Sequence, residues 1–184
     1  MDLQEYFSSY QTLLSSGEIP ELMMELKGRI EIVKQSSGKL MLAGNGASAS
    51  ISSHLATDFS KQARVRAMTF NDANLITALA NDCGYENWIS KAVEFYGEKG
   101  DMLILISSSG RSPNVVAAAM KARAMGISVA AFTGFNKDNP LGALADVHFW
   151  VDSRAYNIVE CLHMIWLTGV CDLIIGTSEY GVAE

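Results

Sequence analysis

The stretch GDMLILISSSGRSPNVVAAAMKARAMGI, residues 100–127, changes character twice. A continuously apolar run, "MLILIS" (102–107), gives way to a knot of serines around Gly110, and after Pro113 the chain becomes rich in alanine. An apolar run without alternation is a strand covered on both faces. The segment after Pro113 is helical, with Ser112 placed as N-cap and the proline in the first turn. Residues 100–127 therefore read as one strand, a hydroxyl-lined loop and a helix.

Working outward, four more apolar runs repeat the theme: "KLMLAG" (39–44), "VRAMTF" (65–70), "VAAFTG" (129–134) and "VHFWV" (147–151), with helix-length segments between them. Strands alternating with helices predict an α/β fold, a three-layer doubly wound domain on a five-stranded parallel sheet. Two helical patterns precede it. Leu3, Tyr6, Phe7, Tyr10, Leu13 and Leu14 keep helical spacing, and after "SSGEIP" so do Leu22, Met23, Leu26, Ile30 and Val33, which predicts a helical hairpin. The expected organisation is a single domain over 1–184, with the hairpin (1–37) used in oligomer packing and an α/β core with a C-terminal helix (38–184). That last helix, "NIVECLHMIWLTGVCDLII" (157–175), is apolar on nearly every side. Other copies of the chain are expected to cover it.

Composition removes several function classes. With 184 residues, 49% hydrophobic and 18% charged, the chain is an ordered globule with a sizeable core. A net charge of −6 and no basic stripe argue against a nucleic-acid partner. Cys83, Cys161 and Cys171 form no CxxC pair, and the start "MDLQEYFSSY" lacks the order of a signal peptide, so the cytoplasm is the expected compartment. No run is expected to reach about 18 apolar residues, and Glu160, His163 and Asp172 break the final helix, so no membrane span is expected.

Ligands of open α/β sheets sit outside the carboxyl ends of the strands. Two loops qualify. After the first strand comes "AGNGASAS" (43–50), where Gly44 and Gly46 admit close approach and Ser48 opens a helix. After the third come Ser107, Ser108, Ser109 and Ser112, whose hydroxyls and nearby helix N-terminus suit a phosphate; they equally suit capping and turning the chain. No GxxxxGK[ST] lysine and no GxGxxG is present, so no nucleotide cofactor is expected.

Read in order, "GNGASAS", "HLATDF" (54–59), "ALANDCGYEN" (78–87), the stretch 100–127, "AAFTG" (130–134), "ADVHFWV" (145–151) and "ECLHMIWLTGVCDLI" (160–174) resemble the sugar isomerase (SIS) domain. Within it they are most similar to the phosphoheptose isomerase branch, which also holds the DnaA initiator-associating protein. The resemblance implies a flavodoxin-like sheet, a homotetramer and a phosphorylated sugar as ligand. It implies that Ser107, Ser108, Ser109 and Ser112 hold the phosphate, while Asn45, Ser48 and Asp82 contact the sugar or shape the loop around it.

The same resemblance exposes departures at the chemistry. Moving a proton between adjacent carbons needs a base at carbon and an acid or metal at oxygen. The family carries a histidine and, four residues on, a glutamate; these fall on His54 and Asp58. Its final helix carries a glutamine and, eight residues on, a histidine; with His163 as anchor these fall on Glu160 and Thr168. Asn157 stands where an aspartate is usual. The catalytic candidates are thus Asp58, Glu160 and His54, with Asn157 beside the substrate. His54, Asp58 and Glu160 together offer an N/O set for Zn²⁺ or another divalent metal. Thr168 cannot trade protons as an imidazole does, so the alternative is a non-catalytic phosphosugar- or protein-binding module. Plainer readings stand beside these: His54 bonded to Asp58, His163 and His148 as structural histidines, Asp82 ending a helix, and Arg111 solvated.

Overall fold

The structure is a computed structural model that describes residues 2–180. Five parallel strands form one sheet: β1 (Leu40–Gly44), β2 (Ala67–Thr69), β3 (Met102–Ile106), β4 (Ser128–Thr133) and β5 (Val147–Trp150), in the spatial order β2-β1-β3-β4-β5. The apolar runs are strands for the expected reason. Every residue of β1 and β3 is buried, because helices cover both faces, whereas the edge strand β5 alternates.

Odd and even side chains of each strand enter different cores. Leu40, Leu42, Ile104, Ile106, Phe132 and Phe149 pack with α2 (Ile19–Gln35), α3 (Ala47–Lys61) and α8 (Tyr156–Ile175). Met41, Leu103, Leu105, Val129 and Ala131 pack on the other side with α5 (Trp88–Tyr96), α6 (Pro113–Ala124) and the short α7 (Pro140–Leu144), α4 (Ala73–Cys83) adding partly buried side chains. The three layers are as the sequence predicts. The start of the β1–β3 pair is pinned by Asp101, only 3% exposed, which accepts from the Lys39 N–H (2.9 Å), the Lys39 ammonium (2.6 Å) and the Glu98 N–H (2.8 Å). That fixes the relative height of the two strands whose far ends carry the candidate site.

The two hairpin helices have different roles. α2 sinks Leu26, Ile30 and Val33 into the core, so it belongs to the domain. α1 (Leu3–Leu14) buries nothing completely and leaves Leu3 and Phe7 exposed, and the Trp166 indole N–H ties it to α8 by donating to the Leu14 carbonyl at 2.9 Å.

α8 corrects one expectation: by length and composition it is apolar enough to cross a membrane, with a mean hydropathy of 1.8. Its packing is that of a core helix along one face, where Val159, Leu162, His163, Trp166, Leu167 and Val170 are buried against the sheet, α2 and α3. His163 lies in that face. Its Nε2–H donates to the Thr133 carbonyl at 3.0 Å, Nδ1 has no partner among the described residues, and burial holds its pKa down at about 4. The unfolded chain binds this proton near 6.5 and the folded chain refuses it until about 4, so stability is present above 6.5 and is lost as pH falls through that window. The loss is on the order of 3 kcal/mol, from about 1.4 kcal/mol per pH unit. Urea titrations between pH 7 and 4.5 are expected to show a shallower loss in His163→Gln than in the parent.

Candidate functional site

The C-terminal ends of β1 and β3 lie side by side where the strand order reverses, the crevice in which such sheets bind ligands. A cavity of about 140 Å³ opens there, lined by Asn45, Ser48, Ile106, Ser107, Ser108, Ser109, Ser112, Tyr156 and Glu160. Gly44 lets the two strands meet: a Cβ there would lie 2.8 Å from the Ile106 carbonyl and 2.6 Å from Ser48 Cβ.

The serine loop is held from behind. The Ser107 N–H prolongs the sheet by donating to the Phe132 carbonyl (3.0 Å), the Ser108 carbonyl accepts from Gly134 (2.9 Å), and the Gly110 carbonyl accepts from Leu141 (3.1 Å). Gly110 has φ +62° and a Cβ there would collide with the Asn139 amide, so the turn needs glycine. Asn139, itself buried, caps α7 through Gly142 (2.8 Å) and donates to Thr133 Oγ1 (3.1 Å). The N–H groups of Ser108, Ser109 and Ser112 find no acceptor among the described residues.

Ser112 departs in one respect from expectation. It occupies the N-cap position of α6, yet its hydroxyl makes no capping bond and instead meets Ser107 Oγ at 3.2 Å. The Val115 N–H is shared, donating to the Ser112 carbonyl and to Asn114 Oδ1, each at 3.0 Å. Four hydroxyls, unpaired N–H groups and a helix N-terminus therefore face one small volume, an arrangement that stabilises an anion without a cationic side chain.

Asn45, Ser48 and Glu160 line this cavity with the serines. Asn157 does not; it faces a neighbouring groove of about 430 Å³ shared with Glu5, Tyr6 and Tyr156. Asp82 sits exposed in the last turn of α4 and accepts from Asn81 (3.0 Å). Arg111 is exposed outside the loop, its side chain lining a different cavity with Lys137 and His148. His148 bonds Thr133 Oγ1 at 2.7 Å and, like His163, is structural.

His54 and Asp58 are one turn apart on α3, their side chains 3.1 Å from each other. α3 and α8 both start at the cavity and pack along each other, since Ser48 and Glu160 line it. Farther along, burial and the charge of Asp58 push the Asp172 carboxyl above its usual range, which places Asp58 near the C-terminal half of α8. Thr168, one turn before Asp172, spends its hydroxyl on the Met164 carbonyl of its own helix at 2.9 Å. Among the described residues no three His, Cys, Asp or Glu side chains come together as a metal-binding group. His54 and Asp58 engage each other, and Glu160 lines the cradle.

Sequence reasoning missed Tyr156, Ile106, Asn114 and Tyr85. Tyr156 is carried to the cavity by the start of α8, and no local pattern announces it. Asn114 and Tyr85 act through Asn45, a contact across 69 and 40 residues of chain respectively that only the fold creates.

Residues 5–134 match the pattern of the SIS domain. The chain is similar to a phosphoheptose isomerase of Burkholderia pseudomallei (strain 1710b), 39% identical over 144 residues covering 74% of this chain and 72% of that one. It is similar also to a phosphoheptose isomerase of Streptomyces coelicolor, 34% identical over 162 residues, 83% of this chain and 70% of the relative. Among solved structures, that of the phosphoheptose isomerase from Neisseria gonorrhoeae superposes with a TM-score of 0.86 at 27% identity, over 93% of this chain and 94% of the other.

Proposed function

The chain belongs to the SIS domain family, and from that membership we propose that it is a phosphosugar isomerase of the phosphoheptose type, acting on a substrate resembling sedoheptulose 7-phosphate. The observation that carries this reading is the cradle: Ser107, Ser108, Ser109 and Ser112 at the N-terminus of α6, with Asn45, Ser48 and Glu160 closing the same cavity. The relatives named above are phosphoheptose isomerases, and the cradle is the part of this chain suited to a phosphate.

Aldose–ketose interconversion removes the proton from the carbon beside the carbonyl, passes through an enediol and returns a proton to the neighbouring carbon. The phosphate takes the loop N–H groups and hydroxyls. Glu160 is the first carboxylate the sugar meets. By helix rise, His54 stands about 9 Å and Asp58 about 15 Å along α3 from Ser48. A sugar anchored by its phosphate reaches them only if its chain is long, which supports a heptose over a triose. Asp58 is the proposed base, oriented by His54, and Glu160 the proposed acid at oxygen. Asp58 is one methylene shorter than the family's glutamate, and a misplacement near 1 Å can cost on the order of a hundredfold in rate. The enzyme is therefore expected to be slow.

A second reading rests on Thr168, whose hydroxyl bonds its own helix and supplies no acid. It makes the protein a phosphosugar- or protein-binding module without turnover. Incubation with sedoheptulose 7-phosphate, with the aldose followed by NMR, decides between the two. Turnover that falls at least about a hundredfold in Asp58→Asn, with ligand-dependent thermal stabilisation kept, is the result expected of the enzyme. Stabilisation without turnover in the parent leaves the module.

The exposed apolar side chains of α1 and α8, Leu3, Phe7, Tyr156, Ile165 and Leu173, support self-association, which we propose is the homotetramer the family resemblance implies. Sedimentation velocity of the parent and of a Phe7→Asp, Ile165→Asp variant checks it; the variant is expected to shift to smaller species.

A further inference from the structure

We infer that Asn114 is a positioning residue: it fixes which way the amide of Asn45 faces and so leaves one Asn45 N–H for the ligand. This rests on the phosphosugar reading of the cradle and names a residue through which that site works. Hydrogen-bond polarity sets the arrangement from the backbone outward. The Val115 N–H can only donate, and it lies 3.0 Å from Asn114 Oδ1, so the oxygen of that amide faces the start of α6. Asn114 Nδ2 then donates to Asn45 Oδ1 at 2.9 Å, and Asn45 Nδ2 donates back to Asn114 Oδ1 at 3.0 Å. The Tyr85 hydroxyl donates to the same Asn45 oxygen at 3.1 Å.

Asn45 Oδ1 thus carries two donors, which fills its lone pairs, and Asn45 Nδ2 has committed one of its two N–H bonds. The second N–H is what this amide has left, and Asn45 lines the cradle. Its complement is an oxygen acceptor on the bound phosphosugar. Asn114 is 2% exposed, so water cannot rescue a reversed pair. Reversal would set the Asn114 amide nitrogen 3.0 Å from the Val115 N–H, donor against donor, and leave that N–H with the Ser112 carbonyl alone. A backbone N–H at the start of α6 therefore dictates, through two amides, which atom of the β1 loop meets the ligand.

The test has two arms. In the ligand-free protein, ¹⁵N–¹H spectra should show the two side-chain protons of Asn45 exchanging with water at different rates, and Asn114→Ala should abolish the difference. In titrations with sedoheptulose 7-phosphate, Asn114→Ala should weaken binding about tenfold in the parent but less than about twofold in an Asn45→Ala background, because it acts through Asn45. An equal loss in both backgrounds, or an Asn45 signature absent from the parent or unchanged in Asn114→Ala, overturns the inference. If Asn114→Ala does not fold, Asn114→Asp keeps the acceptor for Val115, removes the donor to Asn45, and is judged by the same comparisons. A parent protein that shows the signature, loses it in the variant and yet binds no phosphosugar upholds the amide lock and overturns the ligand reading instead.

Discussion

Replacing Ser109 and Ser112 together by alanine is expected to weaken phosphosugar binding by a factor on the order of 10²–10⁴, from about 1.5–3 kcal/mol for each hydrogen bond to a charged group. Ser109 Oγ already accepts the Arg111 N–H at 3.2 Å, so its own proton is free to donate into the cavity. Ser112 Oγ is 3.2 Å from Ser107 Oγ and is not spent on capping α6. Truncating both removes two donors and leaves the loop N–H groups with only the Ser107 and Ser108 hydroxyls against a dianion. Folding stability should change by less than about 1 kcal/mol, since both positions are partly open to solvent and the loop is held by Gly110, Asn139, the Phe132 carbonyl and the Gly134 N–H rather than by these hydroxyls. Arg111→Ala is the control, because that side chain lines a different cavity, and it should change affinity less than about threefold. Calorimetric titration reads all three proteins. Affinity in the double variant equal to the parent's would remove the cradle as the phosphate site.

The loop could be found from sequence because its signals are local: an apolar strand, short hydroxyl residues, glycine, then proline at a helix start. The five strands were legible for the same reason, their apolar runs being continuous where helices cover both faces of the sheet. Two kinds of information were not local. Ser112 looks like a side-chain cap from its position, but its hydroxyl makes no capping bond, and only the approach of Ser107 shows what that hydroxyl is free to do. The periodicity of residues 1–33 announces two helices without saying that α2 is buried and α1 is not. That difference depends on where α8 lies. The run from Tyr156 to Ile175 likewise reads as apolar all round, while the fold sorts it into a core face and an open face.

Introducing histidine at position 168 is expected to raise turnover of sedoheptulose 7-phosphate by about 10²–10⁴, the usual worth of a placed general acid or base. α3 and α8 leave the cradle together, and Asp58 and Asp172 are close enough for the charge of one to raise the pKa of the other. Thr168 lies one turn nearer the cradle than Asp172, and His54 one turn nearer than Asp58, so positions 168 and 54 stand at the same level between the helices. The family resemblance puts an imidazole there. Thr168 gives up only a bond from its hydroxyl to its own helix backbone, a contact that does little for the fold. The position is partly exposed, which leaves room for the larger ring. Because the cradle is untouched, KM should stay within a few-fold and the gain should fall on kcat, with a pH profile that acquires a new limb near the ordinary histidine value. Asp58→Glu, which restores the missing methylene, should add up to about a hundredfold more by bringing the carboxylate to the reacting carbon. If Thr168→His binds the sugar as tightly as the parent, keeps its stability and turns over no faster, the absent imidazole at position 168 is not what slows this chain.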